Sequence, residues 1–187
     1  PTGMQLRPLR IRLLHPTEWV VGTALEADST GWYRADDYDH VVDSPILVGT
    51  LSVASLEVRG TAVDVFTYSK TGAVKSEQIL DAVRDVLTAA ADFLGELPVD
   101  RYAFLFHFED VTMGAWEHTY ISNYSFEESD FEAILHVDLS SIVAHEFFHI
   151  VTPLNIHSEI IEEFNFVKQT PSEHVWLYEG ATEWMAE

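Results

Sequence analysis

His145 and His149 stand four residues apart with Glu146 between them, in the run Leu139-Ser140-Ser141-Ile142-Val143-Ala144-His145-Glu146-Phe147-Phe148-His149-Ile150-Val151. Four residues is about one helical turn, so both imidazoles leave the same helix face and can bind one metal ion. Glu146, about 100° further round, stands to the side, where it can take a proton from a water activated at the metal instead of ligating. The run is apolar on almost every side, so the helix is expected to be buried. Burying two imidazoles and a carboxylate without partners costs roughly several kcal/mol. At this chain's frequencies, 9 His and 18 Glu in 187 residues, the pattern arises by chance in about 4% of such chains, the false-positive risk of a short motif. The alternative is a core helix with hydrogen-bonded histidines; a zinc site accounts better for so much buried polarity.

A catalytic zinc needs a third protein ligand and an open position. One known continuation places Gly three and His six residues after the second histidine; here those positions hold Thr152 and Asn155. The ligand is therefore sought downstream, among Glu159, Glu162, Glu163, Glu173, Glu179, Glu183, His157 and His174. Spacing does not decide among them. Local texture favours Glu179, a lone acid in Trp176-Leu177-Tyr178-Glu179-Gly180, whereas Glu159, Glu162 and Glu163 lie in a charged stretch most simply solvated. Glu183, one turn after Glu179, reads either as a hydrogen-bond partner for the back of a ligating histidine or as a surface acid.

These side chains need helices to carry them. Asp138 can cap a helix running to about Thr152, where Pro153 removes a donor and clashes with the preceding turn. A last helix is expected from Ser172 or Glu173, carrying Trp176, Leu177, Ala181 and Trp184. Upstream, Gln5 to Leu14, Trp19 to Leu25, Ile46 to Val53, Leu56 to Val58 and Ala62 to Tyr68 read as strands between turn-like clusters. Ser76 is expected as the N-cap of a helix through Ile79, Leu80, Val83, Val86, Leu87, Ala90 and Leu94, with Gly95 as its stop. Tyr102 to Phe108 reads as a buried strand, and His118 to Phe126 and Phe131 to Val137 as further strands. The change of texture after residue 69 places a domain boundary near residue 70. Because the sequence stops at Glu187 inside a helix-like stretch, it is expected to be a piece of a longer protein.

His145 to His149, followed about thirty residues on by Trp176-Leu177-Tyr178-Glu179-Gly180-Ala181-Thr182, resembles the glycyl aminopeptidase family of PDZ-containing zinc metallopeptidases, relatives of thermolysin and aminopeptidase N. The likeness extends through Tyr38 to Gly49 with its Asp-Ser-Pro-Ile stretch, Phe93 to Phe108, and Gly114-Ala115-Trp116-Glu117-His118. It differs after the second histidine, where the family often has Trp-Asn and this chain has Ile150-Val151-Thr152-Pro153. The resemblance implies that His145, His149 and Glu179 hold Zn2+, that Glu146 is the general base, and that Gly114, Glu117 and His118 belong to a substrate-binding strand whose Glu grips a free α-amine. It also implies a helical half and a PDZ domain further along the full-length parent. The expected fold is α+β, with residues 1–70 ending an N-terminal β-domain and residues 71–187 beginning a thermolysin-like zinc metallopeptidase domain. The expected activity is zinc-dependent peptide hydrolysis, as an aminopeptidase acting on small N-terminal residues such as Gly or Ala. The competing readings are a non-catalytic zinc-containing binding or chaperone-like module and an endopeptidase.

Composition narrows the partners. Asp and Glu number 31 against 10 Lys and Arg, a formal charge of −21, so neither nucleic acid nor an anionic membrane finds the basic patch it needs. No apolar run reaches the ~20 residues of a membrane span. With no cysteine, disulfides and thiolate zinc sites are excluded. The hydrophobic share of 47% is enough for a core, so the chain should fold despite its charge. Self-repulsion on this scale points to work in a salt-rich milieu. Raising salt from about 0.1 M to about 1 M, which shortens the screening length from about 10 Å to about 3 Å, should raise the melting temperature. A stability optimum at low ionic strength in thermal melts refutes this.

Overall fold

The computed structural model describes residues 3, 5–136, 138–161 and 168–187. In chain order the first elements are β1 (Leu9–Ile11), β2 (Val20–Gly22), β3 (Glu26–Ala27), β4 (Tyr33–Ala35), the short helix α1 (Tyr38–Val42) and β5 (Leu47–Gly49). They make two small antiparallel sheets, β1-β4-β3 and β2-β5. Only Leu9–Ile11 of the expected Gln5 to Leu14 strand is paired, because its partner β4 offers three residues. β3, β4 and α1 are too short to leave a periodic signal in the sequence.

The main sheet follows. β6 (Ser52–Val58) and β7 (Thr61–Ser69) form a hairpin over Arg59-Gly60, both at positive φ (50° and 89°), the two-residue turn that matches strand twist. Then come α2 (Ser76–Leu94), β8 (Arg101–Glu109), β9 (Gly114–Glu117), β10 (Ile121–Glu127), α3 (Phe131–Leu135), α4 (Leu139–Phe148) and α5 (Val175–Ala186). The strand order is β6-β7-β8-β10-β9, with β8 parallel to both neighbours and β9 an antiparallel edge. The domain boundary expected near residue 70 falls inside this sheet, since β7 pairs with β8. The change of architecture lies between Gly49 and Ser52.

Alternation along β8 divides the core. Tyr102, Phe104, Phe106 and Phe108 face α2 and α4 with Tyr124, Phe126 and Phe147, and the Phe106 and Tyr124 rings stack at 4.5 Å. Ala103 and Leu105 face the other way with Phe66 and Ile121, under Val20, Leu47 and Leu51 of the N-terminal unit. Both faces being covered explains why this strand reads as continuously apolar. The N-terminal unit comes so close that a Cβ on Gly22 would lie 2.6 Å from Phe66 Cγ, so only glycine fits there. Among the described residues, no helix is long and apolar enough to cross a membrane.

Three local expectations are corrected. Ser76 is the first residue of α2, and its buried Oγ donates to Ser52 O and Thr67 Oγ1, both at 2.8 Å. Lys75 takes the cap position, with its N–H donating to Gln78 Oε1 at 2.9 Å, while Gly95 ends the helix as expected. Phe131 to Leu135 is helix, not strand. Phe131, Ile134 and Leu135 have helical spacing, and Ile134 is buried; Val137 lies outside the described residues. The helix capped by Asp138 ends at Phe148, four residues early. Its last bonds tighten to Ile150 N–H→Phe147 O and Val151 N–H→Phe148 O, the 3₁₀-type ending of a chain approaching proline.

Glu128, just after β10, holds the loop that follows β7. Its carboxylate accepts from Ser69 Oγ (2.7 Å), Lys70 N (2.8 Å), Thr71 Oγ1 (2.6 Å) and Thr71 N (3.4 Å). Burial alone would raise this carboxyl, but the bonds from Thr71, Ser69 and Lys70 together hold it below its ordinary value of 4.5. A depressed carboxyl stabilises the fold above its unfolded pKa, and that contribution is lost as pH falls through the folded one. Glu128→Gln should therefore cost roughly 1–3 kcal/mol at pH 7, and the gap to wild type should narrow as pH falls below the ordinary carboxyl value of 4.5, as read by denaturant melts across pH.

Candidate metal and peptidase site

α4 packs against α5 beneath the sheet's open end, and the facing stripes carry the polar groups. On α5 these are Tyr178 and Thr182, both buried, with Glu179 and Glu183 one position further on. His149, only 2% exposed, turns Nδ1 to the backbone oxygen of Thr152 at 2.9 Å, and Thr182 Oγ1 stands 3.4 Å from the same nitrogen. His145 turns Nδ1 to Glu183 Oε2 at 2.9 Å. With both Nδ1 atoms turned to acceptors, the two Nε2 atoms are the ones left to face the cluster. They meet Glu179 Oε2 at 3.2 Å from His145 and 3.7 Å from His149. Each of the three residues offers an acceptor within 4.8 Å of the others. In a tetrahedral zinc site with bonds of about 2.0–2.1 Å, ligand atoms stand roughly 3.3 Å apart, so this donor set fits zinc in type and spacing.

Glu146 lies beside the cluster, 8% exposed, with Oε2 bonded to no protein group. Its carboxyl is pushed up to about 7, first by burial and then by the charge of Glu117, with His145 opposing. Glu117, Glu146 and His149 form a second group whose polar atoms lie within 4.8 Å of one another. Glu117 ends the edge strand β9 and pairs with Ser122 of β10, so it points to the α4 side of the sheet. Gly114 begins the same strand, and a Cβ there would meet the Trp116 indole at 2.6 Å. Its lack of a side chain therefore serves packing.

His118, expected beside the substrate, points to the opposite face from Glu117. Its Nδ1 bonds Asp43 Oδ1 and its Nε2 bonds Asn123 Oδ1, both at 3.0 Å. Asp43 Oδ2 also accepts from the Thr119 N–H at 3.1 Å. Burial alone would raise the Asp43 carboxyl, but the bonds from His118 and Thr119 outweigh it and hold the group below its ordinary range.

Comparison with known proteins places this arrangement. Residues 1–50 match the Peptidase M61 N-terminal domain and residues 138–187 match the M61 glycyl aminopeptidase model, together more than half of the chain. The chain belongs to the M61 peptidase family. Its fold matches a crystal structure of an aminopeptidase N family protein from Idiomarina loihiensis, at TM-score 0.76 and 23% identity. That match covers 99% of this chain and 34% of the other, so the chain spans about a third of that protein's length. No curated protein matches. The N-terminal M61 match ends at residue 50, where the small sheets give way to the main one.

Within this M61 chain, Glu159, Glu173, His157 and His174 stay outside both carboxylate-imidazole groups among the described residues, and Glu162 and Glu163 lie outside those residues. Trp176, Leu177 and Trp184 are exposed, because the stripe of α5 facing α4 is taken by the polar residues. Sequence reading passed over the carbonyl of Thr152, the hydroxyl of Thr182 and the role of Asp43. The last two stood in stretches already singled out by resemblance, Trp176 to Thr182 and Asp-Ser-Pro-Ile. A backbone carbonyl leaves no sequence signal.

Proposed function

We propose that this chain carries the metal site, general base and amine anchor of a zinc-dependent aminopeptidase that removes small N-terminal residues such as Gly or Ala. The observation that supports it is the convergence of three acceptor atoms, from His145, His149 and Glu179, beside the buried carboxyl of Glu146. The matching family's description as a glycyl aminopeptidase supports the small first residue.

Zinc, when bound, supplies Lewis-acid polarisation of the peptide carbonyl and acidifies water. His145, His149 and Glu179 would hold it. Glu183 and the Thr152 carbonyl keep the two imidazoles in the tautomer that ligates. Glu146 accepts the proton of the attacking water and returns it to the leaving amine nitrogen. An ordinary value near 4.5 would make it a poor proton donor in the second half of that transfer, and burial corrects this. Glu117 faces a cleft of about 260 Å³ that Glu179, Tyr178 and Pro153 also line, and its carboxylate receives the substrate's free ammonium. That grip holds the peptide short at its first residue, which makes the enzyme an exopeptidase.

In the full-length enzyme, Glu146→Gln should keep about one zinc per chain while peptide hydrolysis falls by about 10²-fold or more; unchanged turnover would falsify its role as base. Glu179→Ala should strongly reduce bound zinc measured by metal analysis, since two imidazoles leave the ion one ligand short, whereas Glu159→Ala should not. The reverse result moves the third ligand elsewhere. Glu117→Ala should raise KM for peptides with a free N-terminus by about ten- to a hundredfold, the loss of a charge-assisted bond, and leave acetylated peptides unaffected. Equal losses on both peptides would reduce Glu117 to a structural acid and leave an unspecified peptidase.

A further inference from the structure

The N-terminal unit reaches the back of the strand that carries Glu117 through Asp43. α1 ends at Asp43, which lies against the connection between β9 and β10, immediately after Glu117. Asp43 Oδ1 is bonded by His118 Nδ1 at 3.0 Å and Oδ2 by the Thr119 N–H at 3.1 Å. The His118 ring then spans to Asn123 Oδ1 at 3.0 Å, across the hairpin. Three residues earlier in α1, His40 and Tyr120 bring their rings to 5.7 Å. The carboxylate thus closes a loop of hydrogen bonds around residues 118 to 123, on the face of the sheet opposite Glu117.

Asp43 is itself fixed, since its N–H donates to Asp39 O and Val41 O at the end of α1. Only an edge strand four residues long presents Glu117, and β10 holds it on one side alone. Such a strand end is free to fray unless something outside the ladder ties it. A bidentate carboxylate on the next two residues is that tie. Because side chains alternate along a strand, pinning His118 to the back face aims Glu117 at the front.

We propose that Asp43 is a positioning residue that acts through His118 and Thr119 to hold the Glu117 carboxylate where the substrate's free amine binds, so that the N-terminal unit sets the exopeptidase preference of the catalytic unit. This rests on the reading of Glu117 as the amine anchor. His118 is correspondingly part of the clamp and does not touch substrate. Asp43 takes no part in bond making, so its loss displaces an anchor instead of removing one, and displacements of about 1 Å are enough to weaken an oriented contact severely.

The test uses the full-length zinc-loaded enzyme with matched peptides, free and acetylated at the N-terminus. Asp43→Ala should raise KM for the free peptide about five- to tenfold, with kcat and zinc content kept and the acetylated peptide unaffected. Asp43→Asn, which keeps one of the two bonds, should fall between it and wild type. His118→Ala should resemble Asp43→Ala. In a Glu117→Ala background, Asp43→Ala should add less than about twofold, because coupled residues are non-additive. If Glu117→Ala discriminates between the peptides and the Asp43 variants do not, or if they weaken both peptides equally, the positioning role is wrong while the amine anchor stands. If Glu117→Ala itself fails to discriminate, the amine reading falls first and this inference with it. Should Asp43→Ala yield no soluble enzyme, Asp43→Asn and His118→Ala decide the same question by the same KM ratio.

Discussion

The two imidazoles are aimed at Glu179 by what holds their far sides. His149 Nδ1 is spent on the Thr152 carbonyl and His145 Nδ1 on Glu183, so both Nε2 atoms turn towards Glu179. The Thr152 carbonyl is within reach only because the chain leaves α-helical geometry at His149 and turns back. Had α4 continued to Thr152, that carbonyl would have pointed along the helix axis, away from the ring. The early end of the helix and the tautomer of the buried imidazole are therefore one constraint. Thr182, bonded to Tyr178 O and Thr152 O, locks α5 to the same node and so brings Glu179 into register with both rings.

The second dependence runs through the sheet. β8 is buried on both faces, and what covers each face decides what the edge can do. On one side α4 lies over Tyr102 and Phe104 and carries Glu146 to within a few Å of Glu117. On the other, the N-terminal strands cover Leu105 and Ile121, and α1 brings Asp43 to the β9–β10 connection. The edge that carries Glu117 is thus held from front and back by parts of the chain more than seventy residues apart. A sheet with one solvated face could not do this.

Legibility in the sequence followed length and periodicity. The histidine spacing, the apolar run around it and the 19-residue α2 were plain because each repeats over several turns. Glu179 was singled out from its texture, and it is the acid that the structure brings to both imidazoles. The short strands β3 and β4 and the helices α1 and α3 escaped because two to five residues carry no period. Ser76 read as a cap because its side chain suits one, yet tertiary bonds to Ser52 and Thr67 took it into the helix. On α5, Trp176 and Trp184 are 73% and 68% exposed while Thr182 is wholly buried, because the stripe that faces the imidazoles carries polar groups. Asp43 acts across seventy-five residues, and no local pattern encodes such a partner.

The charge of the site gives these placements a common direction. Glu117, Glu146, Glu179 and Glu183 gather around two imidazoles whose Nδ1 atoms are committed to acceptors. Within a chain already at −21, that is a region where every further anion is repelled and any cation is drawn in, most strongly at the buried Glu146. Part of the strain shows in Glu146, whose carboxyl burial and Glu117 keep protonated to higher pH than usual. A dication between His145, His149 and Glu179 and an ammonium at Glu117 would each relieve it. Both would then favour the ionised Glu146 that proton transfer requires. The two positive guests would thus tip Glu146 towards the form that takes the proton, while the burial that raises its carboxyl helps it give that proton back to the leaving amine.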